Sequence, residues 1–124
     1  MTSRTTLLMA GTAVAFAACT SAVHATVEGK LVLDACTQPV NDPRSETCSL
    51  FVRTVADMLQ VLRATKRENE TCIPGTVTGQ ELADVFVAHV RKAMVDFPEQ
   101  RAMFEKGPAV MLAMGAFKAK WPCK

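Results

Sequence analysis

The sequence predicts an all-α fold, a small bundle of four to five helices held together by disulfide bonds. Apolar residues recur at three- and four-residue spacing through most of the chain after residue 25, and proline and glycine divide this pattern into helix-length pieces. Four cysteines, Cys36, Cys48, Cys72 and Cys123, fall at the expected helix ends and follow an export signal. An even set of cysteines in a small exported chain is typical of a disulfide framework.

We expect residues 1–25 to be a signal peptide that is cleaved after Ala25. Arg4 is the one charged residue before an apolar run over residues 7–19, and the residues at 23 and 25 suit signal peptidase. A transmembrane helix needs about 20 apolar residues, so this run is short for a retained membrane anchor. The mature chain would then be one domain over residues 26–124, located in the periplasm.

Lipidation at Cys19 is an alternative fate for this leader. Ala17-Ala18-Cys19 resembles the end of a lipobox, but Phe16 stands where leucine is usual. Cleavage after Ala25 would instead remove Cys19, which accounts for the odd total of five cysteines.

The charge of residues 26–124 is nearly balanced, with 13 basic and 12 acidic side chains. The basic residues are scattered along the sequence, whereas proteins that bind nucleic acid or anionic membranes usually concentrate positive charge. We therefore expect no nucleic-acid partner. Because the leader is expected to be removed, we also expect no membrane span in the mature chain.

The first helix is predicted over residues 27–36, with Val27, Leu31 and Ala35 on one face. A strand is the alternative, because residues 31–33 form a compact apolar run. Residues 37–45 follow as a loop rich in proline, asparagine and aspartate.

The second helix is expected to begin at Pro43, with Asp42 as its cap, and to end near residue 65. Its apolar positions follow helical spacing and predict a buried stripe. These positions are Cys48, Phe51, Val52, Val55, Met58, Leu59 and Leu62.

The third helix is expected to begin after Thr78, which forms a capping box with Glu81, and to stop at Pro98. Its predicted inner face is Leu82, Val85, Phe86, His89, Val90, Ala93 and Phe97. Residues 99–106 are a short helix or an ordered connection. Pro108 opens a last helix that ends before Pro122, with an inner face of Val110, Met111, Met114, Phe117 and Trp121.

Helix length discriminates among the three cysteine pairings. A helix from Cys48 to about residue 65 is roughly 27 Å long, which places Cys48 and Cys72 near opposite ends of it. Bonded cysteines need Cα atoms within about 7 Å, so that pair is disfavoured. In an up-and-down bundle the first helix ends beside the start of the second, and the third starts beside the end of the fourth. We therefore expect Cys36–Cys48 and Cys72–Cys123.

No arrangement of residues points to an enzyme, a metal site or a cofactor. The cysteines lack the close spacing of redox and zinc motifs. His89 is the one histidine after residue 25, and no nucleophile has a recognisable spacing to it. Methionines at helical spacing predict core filling rather than soft-metal binding. These methionines are Met58, Met94, Met103, Met111 and Met114.

Residues 72–82, CIPGTVTGQEL, resemble the C-I-P-x-x-V-T-x-x-Q-L signature of the Rap/Tai immunity family. The resemblance continues in Asp96-Phe97-Pro98-Glu99, in the alanine-rich residues 109–117 and in Trp121-Pro122-Cys123, and it covers about residues 31–123. The chain departs from the family pattern at Phe51, where tyrosine is common, and at Thr54, where glycine is usual.

The resemblance implies an all-helical periplasmic protein, often a homodimer. Such proteins inhibit peptidoglycan amidases delivered by type VI secretion by covering the active-site groove. The loop between the second and third helices is the expected contact segment, because it is anchored at once by Cys72. Its residues are Lys66, Arg67, Glu68, Asn69 and Glu70. A solvated connector is the alternative role for this loop, and residues 38–45 and 99–107 are the competing contact segments.

Two other classes of function compete with the immunity protein. A periplasmic helical interaction or chaperone module, of the size of the small acid-stress chaperones, would bind many clients. An enzyme would need a convergent nucleophile, base and oxyanion site, which the sequence does not suggest.

Overall fold

The computed structural model describes residues 26–124, and the predicted signal peptide and Cys19 lie outside them. This part of the chain forms five α-helices. They are α1 (Gly29–Cys36), α2 (Pro43–Ala64), α3 (Gly79–Asp96), α4 (Arg101–Lys106) and α5 (Ala109–Lys120), with a 3₁₀ turn at Pro98–Gln100. The predicted all-α fold is confirmed, and the strand considered for residues 31–33 is wrong because they lie within α1.

Local sequence signals set the starts of the two long helices. The Asp42 carboxylate accepts a hydrogen bond from the Arg44 amide at 2.9 Å, and Pro43 occupies the first helical position. At α3, Thr78 Oγ1 accepts from the Glu81 amide at 3.2 Å, and the Glu81 carboxylate accepts from the Thr78 amide at 2.7 Å. The hydrogen bond from the Thr78 amide lowers the pKa of Glu81. Both predicted caps are thus present.

The core lies between α2, α3 and α5, with α1 packed against all three. Its largest fully buried side chains are Phe86 and Phe117, followed by Val52 and Val90. The inner face of α5 is made mainly of small residues, Ala109, Ala113 and Ala116, around Phe117. Small side chains let helix backbones approach closely, so α5 contributes packing density rather than bulk.

The predicted inner face of α1 is wrong for Val27 and Leu31, whereas Ala35 packs against the core as expected. Leu31 is 65% exposed and Val27 47% exposed, whereas Gly29 and Val32 are buried. The reason is a close approach at Gly29, where an added Cβ would lie 2.3 Å from the backbone oxygen of Phe104. Val32 lies one turn along the same face of the helix and is buried with Gly29.

The inner faces of the later helices are partly wrong. Phe97 is 48% exposed, because α3 ends at Asp96 and the chain turns outward there. The prediction that the methionines fill the core is wrong for Met58, Met103 and Met111, which are all exposed. Met94 and Met114, by contrast, pack against the core as predicted, and on α5 the three alanines are buried in place of Met111.

Two disulfides close the ends of the bundle. Cys36 bonds to Cys48 and Cys72 bonds to Cys123, each with Cα atoms 5.0 Å apart. These are the two pairings expected from the sequence. Among residues 26–124, no helix is both long and apolar enough to cross a bilayer.

Candidate protein-binding surface

The contact loop, residues 66–71, begins with a helix C-cap motif in which lysine takes the place usually held by glycine. After α2, the Lys66 amide donates to the Arg63 carbonyl at 2.9 Å and the Arg67 amide donates to the Leu62 carbonyl at 2.8 Å. This is the Schellman pattern, which needs a left-handed residue where glycine is usual. Here Lys66 occupies that position, with φ of 57°. The motif fixes the direction in which the loop leaves the helix.

Glu68 holds the middle of the contact loop. Its Oε1 atom accepts hydrogen bonds from the amides of Glu70 at 2.7 Å and Thr71 at 2.9 Å. Its Oε2 atom is buried and has no hydrogen-bond partner among the described residues. Glu68 is therefore turned inward, so its carboxylate shapes the loop instead of facing solvent.

The far end of the contact loop is tied to the last residues of the chain. The Cys72 amide donates to the Trp121 carbonyl at 2.8 Å and the Cys123 amide donates to the Glu70 carbonyl at 3.0 Å. The Glu70 carboxylate also pairs with Lys118. Together with the Cys72–Cys123 bond, these contacts leave the loop little freedom.

The structure places the five predicted contact residues in two environments. Lys66, Arg67, Asn69 and Glu70 are exposed, whereas Glu68 is half-buried. Glu70 is occupied by its ion pair. Lys66, Arg67 and Asn69 are therefore the side chains of the loop that are presented to a partner without first breaking a contact.

The two competing segments lie elsewhere. In residues 38–45, Arg44 bridges the Asp42 carboxylate and the Gln38 side-chain oxygen, each at 2.8 Å, and Val40 is 78% exposed. The Arg44 guanidinium lowers the pKa of Asp42 to about 2. Residues 99–107 are mostly helical and include an ion pair between Arg101 and Glu105. Residues 99–107 therefore offer no irregular loop, whereas the irregular part of residues 38–45 is closed by the Cys36–Cys48 bond.

A groove between α1 and α2 was not expected from the sequence. It has a volume of about 430 Å³ and is lined by Val27, Leu31, Ala35 and Phe51. The Phe51 ring meets the buried Phe86 ring edge-on at 6.4 Å, so the residue that replaces the common tyrosine is part of the packing. The exposed face of α1, predicted to be core, forms one wall of this groove.

One exposed face of α2 carries uncharged side chains. Leu50 is 69% exposed, Met58 37% and Val61 62%, and Thr54 lies between them on the same face. Thr54 Oγ1 donates to the Leu50 carbonyl at 2.8 Å, so the hydroxyl is satisfied within the helix. We call these four residues the α2 stripe. The sequence did not predict this exposed face, because its apolar residues have the same helical spacing as those of the buried face. Met58, for example, was assigned to the buried face.

His89 lies half-buried in an open groove between α3 and α5, beside Lys92 and Lys120. Burial lowers the pKa of His89. Within residues 26–124, no cluster of three or more histidine, cysteine or acidic residues is arranged to hold a metal ion.

Comparison with models of known protein families identifies the family to which this sequence belongs. The model of the Rap1a immunity proteins matches residues 28–123, which include all five helices, both disulfides and the contact loop. No curated protein and no solved structure matched the chain. Because the match covers most of the sequence, this chain belongs to the family of Rap1a immunity proteins.

Proposed function

We propose that this chain is a periplasmic immunity protein that binds a peptidoglycan amidase delivered by type VI secretion and inhibits it by covering the active site. Membership of the Rap1a immunity family supports a protein effector as the partner. It also favours inhibition by binding over catalysis by this chain.

The observation that carries the proposal is the prearranged contact loop. An inhibitor loses affinity if it must order a flexible segment on binding. Here the Schellman turn at Lys66, the Glu68 carboxylate and the Cys72–Cys123 bond order the loop before any partner arrives. Arg67 and Asn69 are left exposed at its tip, where they could enter a groove.

The proposed location follows from covalent chemistry and from the leader. Disulfides persist in the periplasm and are rare in the bacterial cytosol. We propose that residues 1–25 are removed as a signal peptide and that residues 26–124 are the mature domain. Mass spectrometry of the exported protein distinguishes an N-terminus at Thr26 from lipidation at Cys19.

We also propose that two copies pair through the α2 stripe. If two α2 helices pack antiparallel with Thr54 of one copy opposite Thr54 of the other, Leu50 of one copy lies opposite Met58 of the other. Uncharged residues of the stripe are thus paired with one another across the two-fold axis. Sedimentation of Leu50→Asp against Gln60→Asp, which lies off the stripe, tests this pairing.

The function is tested by rescue. Candidate amidase effectors from genes neighbouring that of this chain are directed, one at a time, to the periplasm of a host bacterium, with and without the full-length protein. We expect the full-length protein to prevent lysis and a version lacking residues 1–25 to fail. Lysis despite export of a folded, oxidised protein would count heavily against an immunity role.

The contact loop is tested in the same assay. Arg67→Ala combined with Asn69→Ala should abolish rescue, whereas Val40→Ala combined with Asn41→Ala on a competing loop should not. Capture of many unrelated clients at low pH, without one tight partner, would instead favour the chaperone alternative.

A further inference from the structure

Folding gathers positive charge that is scattered in the sequence. The Cys72–Cys123 bond joins residues 63–72 to residues 117–124, which are about 50 positions apart along the chain. These two segments carry six basic and two acidic side chains, a net charge of +4. The rest of residues 26–124 carries seven basic and ten acidic side chains, a net charge of −3. We call the first set the basic end.

The two acidic side chains at the basic end do little to cancel this charge at the surface. The Glu68 carboxylate is turned inward, and the Glu70 carboxylate is paired with Lys118. The remaining five basic residues are exposed, and within residues 26–124 none of them is in an ion pair. They are Arg63, Lys66, Arg67, Lys120 and Lys124.

The basic end coincides with the contact loop, and the covalent and hydrogen-bond ties of that loop fix the spacing of the charges. Fixed charges of one sign attract a partner of the opposite sign and orient its approach. Because the molecule is positive at one end and negative elsewhere, the field of an acidic partner also orients it so that the contact loop reaches the partner first.

We infer that the basic end is the docking surface for a protein partner with an acidic rim around its binding groove. This inference rests on the proposed function and adds the chemistry of the effector surface. The basic residues are scattered along the sequence, but six of the thirteen in residues 26–124 lie in the two segments of the basic end.

A protein partner fits this surface better than a lipid bilayer or a nucleic acid. Membrane-surface segments combine basic residues with inserting apolar side chains, and single-stranded nucleic acids stack on exposed aromatic rings. The basic end has two aromatic residues: Phe117 is buried, and Trp121 is half-buried with its ring centre 6.0 Å from that of Phe117. The surface instead offers charge and the exposed amide of Asn69.

Charge reversal tests the inference with a matched control. Arg67→Glu combined with Lys120→Glu changes the basic end without touching the left-handed Lys66 or the Lys118–Glu70 pair. Arg91→Glu combined with Lys106→Glu makes the same change in net charge away from it, at two exposed residues in no ion pair among residues 26–124. Circular dichroism and thermal melting check that both variants fold.

The measurement is the association rate with the neighbouring amidase, by biolayer interferometry, at low and at physiological salt. We expect reversal at the basic end to slow association about tenfold or more at low salt, while the control stays within about twofold. Added salt should shrink the difference between the two variants.

The outcomes separate the two proposals. If the wild type binds the amidase and both variants associate at the same rate, the basic end is not the docking surface, although the function stands. If the wild type does not bind the amidase, the proposed function fails and this inference fails with it. Binding of the wild type to vesicles of one part phosphatidylglycerol and three parts phosphatidylcholine, lost only on reversal at the basic end, would reassign the surface to lipid and overturn the inference.

Discussion

The Glu68 carboxylate accepts a hydrogen bond from the amide of Thr71 at 2.9 Å, and the same oxygen accepts from the Glu70 amide. One side chain thus fixes the backbone of the contact loop from within. This relationship explains how an irregular six-residue segment keeps one shape next to an exposed helix end.

Replacing Glu68 tests this internal support without a partner. In Glu68→Ala the amides of Glu70 and Thr71 lose their acceptor, so we expect their hydrogen exchange to accelerate. Glu68→Gln keeps a carbonyl acceptor and should retain most of the protection. Hydrogen-exchange mass spectrometry of peptides covering residues 66–72 checks this, and equal exchange in Glu68→Ala and wild type would contradict it.

Lys66→Gly is expected to stabilise the protein. A non-glycine residue in the left-handed region costs roughly 1–2 kcal/mol, and glycine removes that cost at the price of greater freedom in the unfolded chain. We expect a net gain of about 0.5–1 kcal/mol in the free energy of unfolding. Urea titration measures it, and Lys66→Ala, which keeps the strain, is the control. A loss of stability in Lys66→Gly would show that the lysine side chain makes a larger contribution than the backbone strain.

Gly29→Ala is expected to destabilise the protein by roughly 1–3 kcal/mol, because the new Cβ meets a backbone atom that cannot move aside easily. That atom is the carbonyl oxygen of Phe104, at 2.3 Å. Gly75→Ala is the matched control, since no atom lies within 4 Å of its added Cβ. Denaturant unfolding compares the two variants, and an equal change in both would refute the packing argument.

The two disulfides should differ in their contribution to stability. Cys72 and Cys123 are separated by 51 positions, whereas Cys36 and Cys48 are separated by 12. Chain-entropy arguments give roughly 4 kcal/mol for the longer loop and roughly 3 kcal/mol for the shorter. Replacing each pair by alanine and measuring unfolding tests this order. The buried position of Cys48 works against it, so a reversed order would show that packing outweighs loop closure.

Asp42→Asn gives a pH-dependent effect. The pKa of Asp42 is lowered to about 2 by its hydrogen bonds and ion pair with Arg44, so its stabilising effect is present above the unfolded value of 3.8. It is lost as the pH falls from that value through about 2. We expect Asp42→Asn to melt below wild type at pH 6 and the two to converge near pH 2. Differential scanning calorimetry measures this, and a constant difference between them across that range would contradict the ion pair as the cause.

The helix boundaries were predictable because their causes are local. Asp42 and Pro43 begin α2, and the Thr78–Glu81 box begins α3, each within four residues of sequence. The cysteine pairing could also be predicted from the sequence. The length of α2 keeps Cys48 away from Cys72, so each cysteine pairs with the one at a neighbouring helix end.

The buried faces were predicted less well because helical spacing identifies apolar positions but not the side on which the neighbouring helix packs. The stripe of α2 and the face of α1 carry apolar residues on more than one side, so periodicity alone could not assign them. The exposure of Leu31 follows from the close approach at Gly29.

The sequence by itself determined that this chain is a disulfide-closed helical domain with the marks of an immunity protein, because caps, breaks and cysteine spacing act over short distances. Only the tertiary structure turned Glu68 inward and brought Arg67 to the same end of the molecule as Lys120. The Glu68 hydrogen bonds are local but aperiodic, and the approach of Arg67 to Lys120 depends on the link between segments about 50 residues apart; neither leaves a periodic signal in the chain.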